Sequence, residues 1–241
     1  MKKVMILCMS LVLAVTLFGC GKSETETKNG NKEEQNKTAS QSGKKENKKI
    51  QTQEVTGSNI LVVYFSAAEN DGIDGISSAT LTEYEGKEYG ATQLASKYIK
   101  DYVGADTFSI VTQESYPDDY ELMKEKAKEQ QDNEEKPELA SRIQSFENYQ
   151  TLFFVYPIWH DKMPMAFYSL MDEYDFSGKT IVPVAINDGS GISGTIEEIK
   201  SLEPTAVVAD QGYEQTVDNI NNSKEDIENW LEEISAFWKE V

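Results

Sequence analysis

Ile60-Leu61-Val62-Val63-Tyr64-Phe65 runs directly into Ser66-Ala67-Ala68-Glu69-Asn70-Asp71, and this junction decides how the chain is read. Six apolar residues in a row, most of them β-branched or aromatic, fit a strand buried on both faces, as in a parallel sheet covered by helices. Thr107 to Val111, Leu152 to Tyr156 (LFFVY) and Ile181 to Ile186 (IVPVAI) have the same character, and Ala206 to Ala209 offers a fifth, shorter strand. Between these runs, helical periodicity predicts helices at Ala91 to Val103, Asp119 to Gln130, Glu138 to Phe146, Met163 to Glu173 and Gly194 to Leu202. A final helix, Lys224 to Lys239, places Ile227, Trp230, Leu231, Ile234, Phe237 and Trp238 on one stripe suited to covering a sheet. Strands alternating with helices predict an α/β domain built on a parallel sheet.

Upstream the character changes. Lys2 and Lys3 precede an apolar stretch from Val4 to Phe18 that ends in Leu17-Phe18-Gly19-Cys20. The stretch is shorter than the roughly 20 residues a membrane-spanning helix needs, so residues 1–19 read as a signal peptide. Its last four residues resemble the bacterial lipobox, which implies lipid attachment at Cys20 and a mature chain that begins there. An ordinary secretory signal or an uncleaved anchor is the alternative, and either places the domain outside the cytoplasm. Residues 20–57 are Lys, Glu, Asn, Gln, Ser and Thr with few large apolar side chains. Such a segment cannot bury enough surface to offset its ordering entropy, and it is expected to be a disordered polar linker. The folded domain is then 58–241.

Ten lysines and six glutamates fall before Ser58, which leaves 13 basic against 36 acidic groups in the domain, a net charge of −23. A surface of that sign repels phosphate backbones and anionic lipid, so no nucleic-acid partner is expected, and membrane contact is expected through the anchor alone. Both cysteines, Cys8 and Cys20, belong to the N-terminal segment, and His160 is the single histidine. Disulfide, thiol and zinc chemistry are therefore excluded from the domain, and no metal site is expected.

In an open parallel sheet, ligands bind outside the carboxyl ends of the strands. Three loops there are rich in small, polar or aromatic residues: Ser66 to Asp71, Pro157-Ile158-Trp159-His160, and Asn187-Asp188-Gly189-Ser190-Gly191. Tyr64-Phe65-Ser66, Tyr156-Pro157-Ile158-Trp159, Met163-Pro164-Met165-Ala166, Tyr174 to Thr180 (YDFSGKT) and Gly189-Ser190-Gly191 resemble, in the same order, successive motifs of the bacterial flavodoxin-like family. The resemblance runs from about Ile60 to Tyr213. It implies a three-layer α/β/α fold with five parallel strands in the order 2-1-3-4-5, and an FMN at the carboxyl edge.

On that resemblance, the phosphate would be held by Ser66, Ala67, Ala68 and Asn70 together with Gly90-Ala91-Thr92 at the start of the first helix. An inserted stretch, about Asp71 to Tyr89, separates these two pieces. Amides at a helix N-terminus and short hydroxyls bind phosphate without cationic side chains, which suits an acidic domain. Ala91 stands where relatives carry an asparagine. Pro157, Ile158, Trp159 and His160 would flank the flavin, with Trp159 stacked on the ring and a protonated His160 favouring its reduced, negatively charged form. Asn187, Asp188, Gly189, Ser190 and Gly191 would approach the pyrimidine edge through backbone N–H groups. The resemblance implies an electron carrier or a flavin-dependent oxidoreductase at the outer face of the membrane, exchanging electrons with a redox partner protein or a small-molecule acceptor. A binding module that keeps the fold without the redox chemistry is the alternative. No residue is assigned a catalytic acid or base role.

Two other patterns fail on context. Gly189 to Gly194 with Asp210 mimics a dinucleotide fingerprint, yet only about 30 residues follow Asp210, too few for the remaining units of a nicotinamide domain. Ser177-Gly178-Lys179-Thr180 precedes a strand, where a phosphate-binding P-loop would follow one.

Overall fold

The computed structural model describes residues 53–70 and 81–239. The expected signal peptide, the Cys20 anchor, most of the linker and residues 71–80 of the insertion lie outside the described residues. Along the chain the strands are β1 (Gln53–Glu54), β2 (Ile60–Tyr64), β3 (Thr82–Tyr84), β4 (Lys87–Tyr89), β5 (Asp106–Ser109), β6 (Thr151–Pro157), β7 (Thr180–Asn187), β8 (Val207–Val208) and β9 (Tyr213–Thr216). The helices are α1 (Ala91–Val103), α2 (Tyr120–Asp132), α3 (Met165–Glu173), α4 (Thr195–Leu202) and α5 (Lys224–Glu233).

The main sheet runs β1-β5-β2-β6-β7-β8, with β9 also paired to β7. Every pairing in it is parallel except that of β1 with β5. The parallel strands thus follow the flavodoxin-like order with two modifications: an antiparallel strand is added at one edge, and the fifth position is shared between β8 and β9. Gly212 makes that division possible, because a Cβ there would lie 2.8 Å from the Pro183 carbonyl oxygen and 2.7 Å from Ile192 Cδ1.

Alternation along the strands builds two cores. Leu61, Val63 and Phe65 join Leu152, Phe154 and Tyr156 under α2, α3 and α4, through Met123, Phe167, Leu170 and Ile199. Ile60, Val62, Phe153, Val155, Val182 and Val184 face the opposite way, onto Leu94, Tyr98 and Ile99 of α1 and Ile227 and Leu231 of α5. The result is a three-layer α/β/α domain. α1 begins after Gly90 and stops at Gly104, whose φ of 72° is left-handed and whose N–H caps the Lys100 carbonyl. Asp119 caps α2 by accepting from Leu122 N–H at 3.0 Å.

Several expectations are corrected. Glu138 to Phe146 is not a helix: Leu139 bridges Thr112, Ala140 N–H donates to the Val111 carbonyl at 2.7 Å, and Leu139, Ser141 and Ile143 are buried in alternation. That period of two belongs to extended chain. The inserted stretch ends in a hairpin, β3–β4, turning through Glu85 and Gly86, both at positive φ. The last helix stops at Glu233 and continues as a short 3-10 turn, Ser235–Phe237. Residues 53–57, expected in the linker, are part of the fold.

Those residues are held by Asp106 at the start of β5. Its carboxylate accepts from the Thr56 N–H and hydroxyl, each at 2.6 Å, and from the Tyr149 hydroxyl at 2.7 Å. Burial by itself would raise its pKa, but these bonds to the charged form outweigh burial and hold it below the ordinary 3.8. Its contribution to stability is therefore complete above the ordinary value and is lost as pH falls through the depressed one. Asp106→Asn is expected to cost about 1–3 kcal/mol at neutral pH and to flatten the acid limb of the stability curve. Urea midpoints followed from neutral to strongly acid pH check this, and parallel limbs in the two proteins would contradict it.

Candidate functional site

β2 delivers its loop to the carboxyl edge of the sheet. Ser66 and Ala67 are fully buried there, and Ala67–Asn70 coils into a 3-10 turn, with Glu69 N–H donating to the Ser66 carbonyl at 3.1 Å. The start of α1 comes to the same place. The Thr92 hydroxyl donates to the Phe65 carbonyl at 2.8 Å, and Gly90 N–H donates to Gln93 Oε1 at 3.3 Å. The structure thus joins Ser66, Ala67 and Ala68 to Gly90, Ala91 and Thr92 across the insertion, with Asn70 closing the turn.

Glu69 is the residue that sequence reasoning missed. Its carboxylate accepts from the Tyr64 hydroxyl at 3.1 Å, from Gln93 Nε2 at 2.6 Å and from the Ser109 hydroxyl. Burial raises its pKa, while the bonds from Ser109 and Tyr64 work against that rise. Burial and the adjacent Glu69 in turn push the Tyr64 phenol far upward. A polar residue just after a buried strand was the available signal, but its partners stand 24 and 40 positions away in sequence.

The second loop is a tight turn. Trp159 and Lys162 exchange backbone bonds of 2.9 and 3.0 Å, and the two residues between them, His160 and Asp161, both have positive φ, 47° and 63°. Pro157 is the last residue of β6, and Ile158 N–H continues the ladder onto the Ile186 carbonyl at 2.8 Å. The Trp159 ring does not present a free face: it is only 3% exposed, set edge-on to Phe65 and Tyr116 with centroids 5.3 Å from each. Among the described residues its buried Nε1 has no hydrogen-bond partner. His160 is exposed, and its Nε2 lies 3.1 Å from the Lys124 carbonyl oxygen, so the imidazole ties the turn to α2. Gln131 Nε2 makes a second tie, donating to the Trp159 carbonyl at 2.6 Å.

In the third loop, buried Asn187 accepts from Gly189 N–H at 2.8 Å, and the chain turns through Gly189 at φ 113° and Gly191 at φ 70°. Asp188 and Ser190 are exposed. A Cβ on Gly189 would meet no atom within 4 Å, whereas one on Gly191 would lie 3.0 Å from Glu214 Oε2.

Ile158, Trp159, His160, Asp188 and Ser190 line one cavity of about 270 Å³, closed on the far side by Tyr120, Met123, Lys124 and Ala127 of α2. Asp161 and Asp188 are its acids, with Lys124 the opposing cation. The pieces around Ser66 and Thr92 are not part of that lining. They adjoin it through Phe65, whose carbonyl holds Thr92 and whose ring packs on Trp159.

A family model described as flavodoxin matches residues 79–234, more than half of the chain. The chain belongs to the flavodoxin family. Among solved structures it is similar to a protein of Bacteroides eggerthii DSM 20697 provisionally called a flavoprotein, with 23% identity, TM-score 0.56, 73% of this chain covered and 97% of that one. A like-named protein of Bacteroides uniformis ATCC 8492 gives 23% identity, TM-score 0.57 and coverages of 73% and 99%. A Lactobacillus acidophilus NCFM flavoprotein in complex with FMN is more distant, at 13% identity, TM-score 0.47 and coverages of 69% and 97%. No curated protein matches the chain. Among the described residues no helix is long and apolar enough to cross a membrane.

The His160-Asp161 turn carries backbone strain that glycine would relieve. An L-residue in the left-handed region costs about 1–2 kcal/mol, and glycine's greater unfolded-state freedom offsets about 0.5–1 kcal/mol of that. Asp161→Gly is therefore expected to stabilise the protein by about 0.5–1 kcal/mol. Thermal melting checks it, and a lower midpoint would show that the Asp161 carboxylate contributes more than its backbone costs.

Proposed function

We propose that the protein binds FMN at the carboxyl edge of its sheet and exchanges electrons with a redox partner protein or a small-molecule acceptor. The observation that carries this reading is the cavity between the Trp159 turn and the Asp188–Ser190 loop, which adjoins the N-terminus of α1 through Phe65. FMN, when bound, supplies the one- and two-electron chemistry, and the protein binds, orients and tunes it.

The residues present fit that group. The cavity, about 270 Å³, lies just below the usual range of ligand sites, roughly 300–1,000 Å³, so it would take the tricyclic ring only with the phosphate tail held elsewhere. Trp159 lines it, and its buried Nε1 has no acceptor among the described residues, a group that costs stability until it finds one. Ser66, Ala67, Ala68, Gly90, Ala91 and Thr92 would hold the phosphate, mainly through main-chain N–H groups at the α1 N-terminus. Ile158, Trp159 and His160 would wall the ring, and Asn187 to Gly191 would offer backbone N–H groups to its polar edge. Asp161 and Asp188 would disfavour negative charge on the ring, while Lys124 would favour it.

The N-terminal segment supports a place for this activity: a signal peptide of residues 1–19 followed by a lipid-bearing Cys20 would anchor the domain to the outer face of the cell membrane. One observation favours a second reading, a binding module without redox chemistry: the Trp159 ring is covered, so flat stacking on it would require the ring or its neighbours to move.

Titration of the purified full chain with FMN separates the two. Binding should quench flavin fluorescence and, at about 100-fold excess over Kd, raise stability by about 2.7 kcal/mol. No quenching and no gain in thermal midpoint would leave the non-redox module. In the flavin-loaded protein, Asp188→Asn should raise the midpoint potential while leaving FMN affinity within about twofold, as removal of one solvent-screened charge predicts. An unchanged potential in a redox titration would rule Asp188 out as a tuning group.

A further inference from the structure

The cradle at the start of α1 is assembled from two pieces of chain, Ser66–Asn70 and Gly90–Thr92, with residues 71–89 between them. Direct chain continuity therefore does not set their relative position. The apolar face of α1 packs on β2 and β6, and at the carboxyl edge two side-chain bonds tie the pieces directly: the Thr92 hydroxyl to the Phe65 carbonyl at 2.8 Å, and Gln93 Nε2 to Glu69 Oε1 at 2.6 Å. Gln93 has a second hold, since its Oε1 accepts from Gly90 N–H. One amide side chain thus links the residue that opens α1 to the carboxylate that ends the Ser66 turn. Glu69 is itself anchored to the sheet, by Tyr64 at the end of β2 and by Ser109 at the end of β5.

We propose that Glu69 is a positioning residue for the cofactor's phosphate: its bond to Gln93 clamps the two halves of the cradle at the spacing their main-chain amides need. This deepens the FMN reading and rests on it. A carboxylate so close to an anion site would ordinarily repel the ligand. Here three donors engage its two oxygens, which together offer about four acceptor sites, so most of its hydrogen-bonding capacity is committed to the protein. The clamp acts through geometry, and Glu69 need not touch the phosphate.

Riboflavin, which has the same ring and no phosphate, isolates the cradle. Dissociation constants of FMN and riboflavin are measured by flavin fluorescence on the full chain, with thermal midpoints recorded for every variant. The wild type should prefer FMN. Glu69→Ala and Gln93→Ala should each weaken FMN roughly tenfold, the effect of losing a hydrogen bond to a charged group, and leave riboflavin within about twofold. The double variant should be no weaker than the weaker-binding single variant within about twofold, because members of one network are not additive. Glu69→Gln, which keeps an oxygen for Gln93, should recover most of the loss.

Unchanged or tighter FMN binding in Glu69→Ala would overturn the clamp in favour of simple repulsion. Additive losses, equal losses for both flavins, or a Gln variant as weak as Ala would overturn it too. If the wild type binds neither flavin, the FMN reading falls and takes the clamp with it; FMN binding in the wild type with any of the other failures removes the clamp alone.

Discussion

β2 is hydrogen-bonded to strands on both sides and buried on both faces, so no chain can leave it except at its ends, and every other element is arranged around that constraint. Register then shapes the edge. Tyr64 lies level with Ser109 of β5 and Val155 of β6, and Val155 with Val184 of β7. β2 and β5 end at that level, while β6 runs on to Pro157 and β7 to Asn187. At about 3.3 Å per residue, β6 stands some two residues, roughly 7 Å, above the floor left by β2 and β5. The step separates two environments. On the floor, Ser66, Glu69, Thr92 and Ser109 form a largely buried polar cluster; on the wall, Trp159 and Asp188 face α2 across a cavity.

That division suits the charge of the chain. A domain with 36 acidic and 13 basic groups has few cations to spare for an anionic ligand, and most described lysines near helices are already paired, as Lys97 is with Asp101 and Lys100 with Glu54. Main-chain N–H groups at a helix N-terminus carry partial positive charge, and α1 has no acidic residue in its first turn to compete for them. Their weakness is geometric: amides are useful only if the backbone holds still. The Thr92 and Gln93 bonds tie the start of α1 to the β2 loop where the sequence is interrupted.

Legibility in the sequence followed the range of the deciding interaction. α1 was readable to the residue because Gly90 and Gly104 flank an apolar period that needs nothing from elsewhere. The central strands β2, β5, β6 and β7 were readable because burial on both faces makes continuous apolar runs, whereas β1 and β9 carry no such run. Glu138 to Phe146 misled because Leu139, Ile143 and Phe146 satisfy a helical spacing, while the alternation of Leu139, Ser141 and Ile143 becomes decisive only when Val111 offers an edge to pair with. The same holds at the site. The loops could be located from strand ends alone, but the edge-on burial of Trp159 depends on Phe65 and Tyr116 arriving from two other segments, and Glu69 is defined by Gln93 and Ser109. The β3–β4 hairpin was overlooked although Glu85-Gly86 between Thr82-Glu83-Tyr84 and Lys87-Glu88-Tyr89 carries a two-residue turn signature.

The Trp159 turn concentrates costs that the rest of the domain does not show together. His160 and Asp161 adopt left-handed backbone, about 1–2 kcal/mol each for non-glycine residues, and Trp159 Nε1 is buried without an acceptor among the described residues, about 1–3 kcal/mol. Burying an indole removes about 150–250 Å² from water, worth roughly 4–6 kcal/mol at about 25 cal/mol per Å², so the turn holds because its aromatic member is driven inward, with Gln131 and the His160 ring securing it to α2. The balance is narrow compared with that of the strands beneath, whose buried residues carry no comparable opposing strain. Any group that supplied an acceptor to the indole nitrogen would remove the largest of the opposing contributions without dismantling the apolar contacts to Phe65 and Tyr116. The element whose conformation is most sensitive to such a group is therefore the one that walls the cavity, and this follows from the distribution of burial and strain within four residues.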